Sequence, residues 1–266
     1  MGFSRFVALG DSQTEGLWDG SDDTGLRGWA DRLAERLAVD NSALLYANLA
    51  TRATKTAQLR DEQLPVALDM RPDLVGVCVG MNDVVSFLGD FGDTLDTLEE
   101  IYARLAETGA TVLTTTFPDF RRMYPLARLI WARVERVNAR ILDCAARYDL
   151  RLVDLLNAPS MVDPRMWSTD RIHGSPLGHT RFALAAAEAL ALPGADHSWA
   201  DEISPQLAPV PLRTIVTDEI EWSRAVLGPW IVRRVHWKTP GVCRRPELAP
   251  VTPPADDLEQ TAFGFR

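Results

Sequence analysis

The chain predicts a doubly wound α/β protein, with a mostly parallel sheet of about five strands flanked by helices and a helical extension at the carboxyl end. Three observations carry that prediction. Short β-branched or aliphatic runs alternate with longer segments of helical period, the pattern of parallel strands joined by crossover helices. Most of the short runs are apolar at consecutive positions, as strands covered on both faces must be. Composition then changes after Leu192, and ten of the 17 prolines stand from Pro193 onward, which divides the chain into 1–192 and 193–266.

Strands are expected at 5–9 (RFVAL), 44–50 (LLYANLA), 73–80 (DLVGVCVG), 111–117 (TVLTTTF) and 151–155 (RLVDL). Helices are expected at 27–39, 55–70, 93–109, 126–148 and from about Leu177 to the Pro-Gly at 193. In the fourth of these, Leu129, Ile130, Val134, Val137, Ile141, Leu142 and Ala145 recur at three- and four-residue intervals and mark one buried face. Beyond the boundary, 212–228 reads as an amphipathic helix and 229–238 as a second, with Pro229 suited to a first turn. The remaining tail reads as extended and wrapped on the body or partly disordered. Asp218, Glu219 and Glu221 argue that the tryptophan-bearing helix pair docks on the domain, since anionic lipid would repel them.

The formal net charge of -9 disfavours nucleic acid or an anionic membrane as a partner. Only two of the 28 cationic residues are lysines, an arginine bias that suits a GC-rich bacterial genome. Cys78, Cys144 and Cys243 form no C-x-x-C pair and read as buried free thiols. No segment has the length and apolarity of a membrane span or the pattern of a secretory leader, so a cytoplasmic location without integral membrane association is expected. The G-x-S-x-G, P-loop, G-x-G-x-x-G and H-E-x-x-H patterns are all missing, so no metal or organic cofactor is expected.

Polar residues gather where strands end. Ser12 follows the first strand in GDSQTEG (10–16), GMND (80–83) follows the third, and STDRIHGSPLGHT (168–180) follows the last. Asp170 and His173 are three residues apart, which on one turn of helix puts both side chains on one side. An acid can then orient an imidazole whose other nitrogen faces a nucleophile. Alone, Ser12 would read as a helix cap. His179, His197 and His236 lack an acid at that spacing or lie in the extension. Asp11 and Asp83 suit hydrogen bonds to loop N–H groups.

The three motifs GDSQTEG, GMND and DRIH together resemble blocks I, III and V of the SGNH (GDSL) hydrolases, over roughly residues 5–190, with NLATRATKTAQL (48–59) where that family has block II. The resemblance implies a flavodoxin-like three-layer fold and a serine esterase acting on a small-molecule ester. Carried over residue by residue, it makes Ser12 the nucleophile, His173 the general base and Asp170 its orienting acid. The oxyanion would rest on the N–H groups of Ser12 and Ala53 and on the Asn82 amide. Ala53 stands where the family has glycine, so a positive φ there would strain the chain. The substrate pocket is expected from Asp11, Phe87, Phe120, Met123 and Trp167. Carboxylic esters with short or medium acyl chains are the expected substrates. The same site also suits an O-acetylated carbohydrate, a thioester or a lysophospholipid. Rivals of another class are a phosphate-binding flavodoxin-like module and a protein-interaction role for the carboxyl-terminal helices.

Overall fold

A computed structural model describes residues 2–21, 23, 25–86, 90–208, 210–229, 243 and 245–252. From the amino terminus, β1 (Arg5–Gly10) leads into the short helix α1 (Ser12–Glu15), and a two-stranded hairpin, β2 (Gly20–Ser21) and β3 (Gly25–Leu26), precedes α2 (Trp29–Asp40). Then come β4 (Leu45–Asn48), α3 (Thr56–Gln58), a π turn (Leu59–Gln63), α4 (Leu64–Asp69), β5 (Leu74–Cys78) and α5 (Met81–Val84). The chain continues through α6 (Phe91–Ala106), β6 (Thr111–Thr115), α7 (Trp131–Arg147), β7 (Arg151–Val153), α8 (Pro176–Ala189), α9 (Leu212–Trp222) and β8 (Arg245–Pro250).

The main sheet runs in the order β7-β6-β5-β1-β4-β8, with the first five strands parallel and β8 antiparallel to β4. All five expected strands are present. The sixth comes from the tail, where Arg245 lies opposite Asn48 and Pro250 opposite Leu45. Its two prolines suit an edge strand, because there a missing N–H leaves no ladder bond unmade. The second expected helix of the extension, 229–238, and Phe87 lie outside the described residues, apart from Pro229 itself.

Apart from Arg5, the two central strands β1 and β5 are buried at every position because helices cover both faces. Phe6, Val7, Leu9, Leu74, Val75 and Val77 are buried among Leu33, Leu98 and Ile101. Trp29 of α2 stacks on Phe182 of α8 with centroids 4.5 Å apart, locking the two helices together. Gly76 makes room for that pair, since a Cβ there would stand 3.0 Å from Trp29 Cη2. Among the described residues no helix is long and apolar enough to cross a membrane.

The chain leaves β1, adds β4 on one side and then returns to add β5 on the other. The strand order therefore reverses at β1, and in open α/β sheets the crevice at such a reversal is where ligands bind. Residues following β1, β4 and β5 meet at its carboxyl end.

Candidate active site

Gly10 ends β1 with φ 154°, and a Cβ there would lie 2.4 Å from the Cys78 carbonyl oxygen. Only glycine can make that turn beside β5, and it delivers Asp11 and Ser12 into the crevice. Gln63, from the π turn, grips Gly10 twice: its Oε1 accepts the Gly10 N–H and its Nε2 donates to the Gly10 carbonyl, both at 2.9 Å. Asp11 caps α1 by accepting from the Gln13 N–H at 3.1 Å. Ser12 is thus held at the first helical position with its side chain in the crevice.

The loop carrying DRIH departs from the expected helical turn. Asp170 Oδ1 accepts from the Ile172 and His173 N–H groups at 2.9 and 3.1 Å and from the Ser168 hydroxyl at 2.6 Å. Arg171 between them is left-handed, with φ 61°. This Asx-type turn, rather than helical spacing, points Asp170 Oδ2 at His173 Nδ1, 2.6 Å away. Burial alone would raise the Asp170 carboxyl. The hydrogen bond and charge of His173, with the Ser168 hydroxyl and the Ile172 N–H, outweigh it and hold the group well below the ordinary carboxylate range. An ionised Asp170 keeps the proton on Nδ1, so His173 Nε2 is the acceptor for the Ser12 hydroxyl at 2.7 Å. Ser12 and His173 are each 8% exposed, so this chain of two hydrogen bonds is shielded from bulk water.

Ala53 follows β4 with φ 66°. The left-handed backbone that the sequence raises as a concern is therefore present, and alanine carries its cost. Among the described residues neither the Ser12 N–H nor the Ala53 N–H has a hydrogen-bond partner within the protein, and both residues border the same cavity. Asn82, at 8% exposure, donates from Nδ2 to Asp11 Oδ2 and to the Thr54 carbonyl, both at 2.9 Å. Its amide thus ties the Ser12 loop to the Ala53 loop, and donation to a third acceptor requires one of those bonds to be shared. Asp83 accepts from the Thr56 N–H at 3.0 Å and fixes the start of α3.

These residues open on a cavity of about 810 Å³. Asp11, Ser12, Ala53, Asn82, Phe120, Trp167, Asp170 and His173 border it, and Met123 does not. Met123 instead closes the 3₁₀ turn Phe120–Arg122, donating its N–H to the Phe120 carbonyl at 3.1 Å. Apolar side chains form much of the remaining wall, among them Phe117, Leu155, Met161, Met166 and Phe182. Asp11 is 3% exposed and engaged with Gln13 and Asn82.

Several residues at the site have no sequence signal of their own. Gln13 Nε2 donates to the Ile172 carbonyl at 2.7 Å, and its Oε1 accepts the Gly174 N–H at 3.2 Å, so one amide spans the backbone on both sides of His173. His179 is buried against Gly174 and donates from Nε2 to the Leu17 carbonyl at 3.2 Å, and burial lowers its pKa to about 4. Its neutral ring packs against the loop. Ala225 and Val226, from the extension, also border the cavity.

Comparisons with known proteins bear on the family and the fold. The model of the GDSL-like lipase/acylhydrolase family matches residues 8–181. Among solved structures, an α/β hydrolase from the metagenome of Lake Arreo, Spain, is 22% identical with a TM-score of 0.60, covering 71% of this chain and 95% of its own. An acetylxylan esterase from Geobacillus stearothermophilus is 16% identical with a TM-score of 0.60, covering 76% and 99%. A lipase/acylhydrolase from Enterococcus faecalis is 21% identical with a TM-score of 0.54, covering 71% and 94%. No curated protein sequence matches the chain. With the family pattern spanning the strands and loops that build this crevice, the chain belongs to the GDSL-like lipase/acylhydrolase family and is an esterase.

Proposed function

We propose that the protein hydrolyses carboxylic esters of short to medium acyl chain through an acyl-enzyme on Ser12. The observation that carries this is the shielded relay from Asp170 Oδ2 through His173 to Ser12 Oγ, with links of 2.6 and 2.7 Å. In the first step the Ser12 Oγ bonds to the ester carbonyl carbon as its proton passes to His173 Nε2. The carbonyl oxygen becomes an oxyanion and rests on the Ser12 and Ala53 N–H groups, with the Asn82 amide as third donor. Collapse breaks the bond to the leaving alkoxide, which takes the proton from His173. Water then repeats the sequence on the acyl-enzyme, giving its proton to His173, and releases the acid and Ser12. Asp170 stays ionised and steadies the imidazolium each time.

The wall of Phe117, Leu155, Met161, Met166 and Phe182 supports an acyl chain over a sugar, since it offers few hydrogen-bonding groups. An O-acetylated carbohydrate is the second reading, carried by the fold likeness to an acetylxylan esterase. A fluorophosphonate probe and a p-nitrophenyl acyl series, run beside an acetylated xyloside and a thioester, test both. The expected outcome is labelling that disappears in Ser12→Ala, with kcat/KM highest between acetyl and octanoyl esters. Equal labelling of Ser12→Ala and the wild type overturns the nucleophile assignment.

A further inference from the structure

The family match ends at residue 181, yet the cavity does not. Helix α9 and the π turn that continues it (Ser223–Leu227) lie across the DRIH loop and complete one side of the site. Trp222 Nε1 donates to the Asp170 backbone carbonyl at 2.8 Å. Glu219 is nearly buried and pairs with Arg171 at 3.1 Å, while its other oxygen accepts the Leu126 N–H at 3.4 Å. The Arg171 guanidinium stands 5.6 Å from the Tyr124 ring and 5.6 Å from the Trp222 ring, and those rings stack on each other 6.4 Å apart. One turn later, Ala225 and Val226 reach the cavity wall.

These contacts converge on a left-handed turn of the site. Arg171 is left-handed, a conformation that strains a side-chain-bearing residue, so outside support helps the loop stay there. Glu219 and the aromatic pair hold the Arg171 side chain, and Trp222 holds the carbonyl immediately before it. The outer face of α9 is different: Val216 and Ile220 are about half exposed and take no part.

We propose that residues 212–227 are a built-in positioning and specificity element of the esterase site. Trp222 positions Asp170, and thereby His173, through the loop backbone. Val226, with Ala225, limits the length of ester the cavity accepts. The proposal rests on Ser12, His173 and Asp170 acting as described above. It adds that a segment beyond the family match completes the site.

The test uses full-length variants and a p-nitrophenyl series from acetate to dodecanoate. Trp222→Phe keeps the ring and removes the N–H. It is expected to lower kcat about tenfold across the series with KM within about twofold, the effect of one lost hydrogen bond on loop placement. Val226→Trp is expected to lower the octanoate-to-acetate ratio of kcat/KM at least tenfold, and Val226→Ala to shift the preferred chain upward. Circular dichroism melts report whether each variant is folded, and Val226→Leu serves where the tryptophan variant does not fold. Trp222→Phe with unchanged kcat, or with its loss appearing in KM alone, overturns the positioning role. A chain-length profile unmoved within twofold in the valine variants overturns the specificity role. Activity or labelling surviving in Ser12→Ala would instead bring down the underlying reading, so the two failures are separable.

Discussion

Gln13→Leu removes the amide that grips both sides of His173 while leaving side-chain volume nearly unchanged. The wild-type side chain makes two hydrogen bonds, at 2.7 Å to the Ile172 carbonyl and 3.2 Å from the Gly174 N–H. Each contributes about 1 kcal/mol net, and a partly buried group left without a partner costs about 1–3 kcal/mol. The loop should therefore lose about 2–4 kcal/mol. With half of that appearing as poorer placement of His173 against Ser12, kcat/KM should fall about 5- to 30-fold at 1.36 kcal/mol per decade. KM should stay within about twofold, since Gln13 supplies only a small part of the cavity wall. Thermal unfolding should occur at least about 4 °C lower, at about 2–4 °C per kcal/mol for a chain of this size. Gln13→Glu is the sharper companion. Its carboxylate still accepts from Gly174 but faces the Ile172 carbonyl. Two acceptors then face each other, so kcat/KM should fall at least as far as in Gln13→Leu. Steady-state kinetics from pH 5 to pH 9 with circular dichroism melts read all of this. A Gln13→Leu enzyme within twofold of wild type at every pH, or a Gln13→Glu enzyme as active as wild type, refutes the coupling of Gln13 to His173.

Other consequences are as direct. Asn82→Ala should cost about 10²–10³ in kcat, as loss of an oxyanion donor does, and a loss under tenfold would confine the amide to tying Asp11 to Thr54. Ala53→Gly relieves about 1 kcal/mol of left-handed strain but adds about 0.5–1 kcal/mol of unfolded-state freedom. Stability by urea titration should thus change little, and turnover should hold within about threefold because the N–H donor is unchanged. A tenfold loss would show that the Ala53 side chain itself matters. Asp31 is buried, and that burial raises its carboxyl from 3.8 to about 6 even though Arg245 lies 3.1 Å away. A carboxyl with a raised folded pKa makes its full contribution below its unfolded value and loses it as pH climbs from about 4 to about 6. The loss is about 3 kcal/mol. Asp31→Asn should therefore gain about that much relative to wild type between pH 4 and pH 7 in urea unfolding, and a difference that stays flat with pH would contradict the assignment.

The sheet was legible because burial on both faces writes itself into consecutive apolar residues such as Phe6 to Leu9 and Leu74 to Cys78. Ser12, Asn82, Asp170 and His173 were legible because each follows a strand in a short polar motif, and the crevice gathers strand ends whatever the loops do. The reason given for Asp170 and His173 was incomplete, however. A spacing of three suits a helical turn, but the chain reaches the same 2.6 Å contact through an Asx turn with Arg171 left-handed. Strand β8 was hidden because its prolines resemble a loop, and an edge strand needs only one row of hydrogen bonds. Met123 illustrates the limit of placing pocket residues by loop membership. It shares the loop of Phe120, yet one 3₁₀ turn sends it away from the cavity.

What the sequence conceals most completely is how the strand ends are held. A strand that stops beside a longer neighbour leaves backbone groups unpaired, and a buried one costs as much as a lost hydrogen bond. A primary amide offers a donor and an acceptor at the spacing of a peptide group, so a single Asn or Gln can stand in for the missing neighbour. This protein does so repeatedly at the carboxyl end of its sheet. Gln63 pairs with both groups of Gly10, and Asn138 pairs with both groups of Phe117 at 2.8 Å each. Asn48 accepts from the Ala50 N–H and donates to the Thr14 carbonyl, and Gln13 spans the backbone on both sides of His173. In sequence such residues look like ordinary polar positions of helices and loops. In the fold they take the place of neighbouring strands for the backbone groups named here, and that substitution keeps the crevice open for a substrate. The same logic accounts for Trp222, whose single N–H serves the one carbonyl of the DRIH loop beside its left-handed residue.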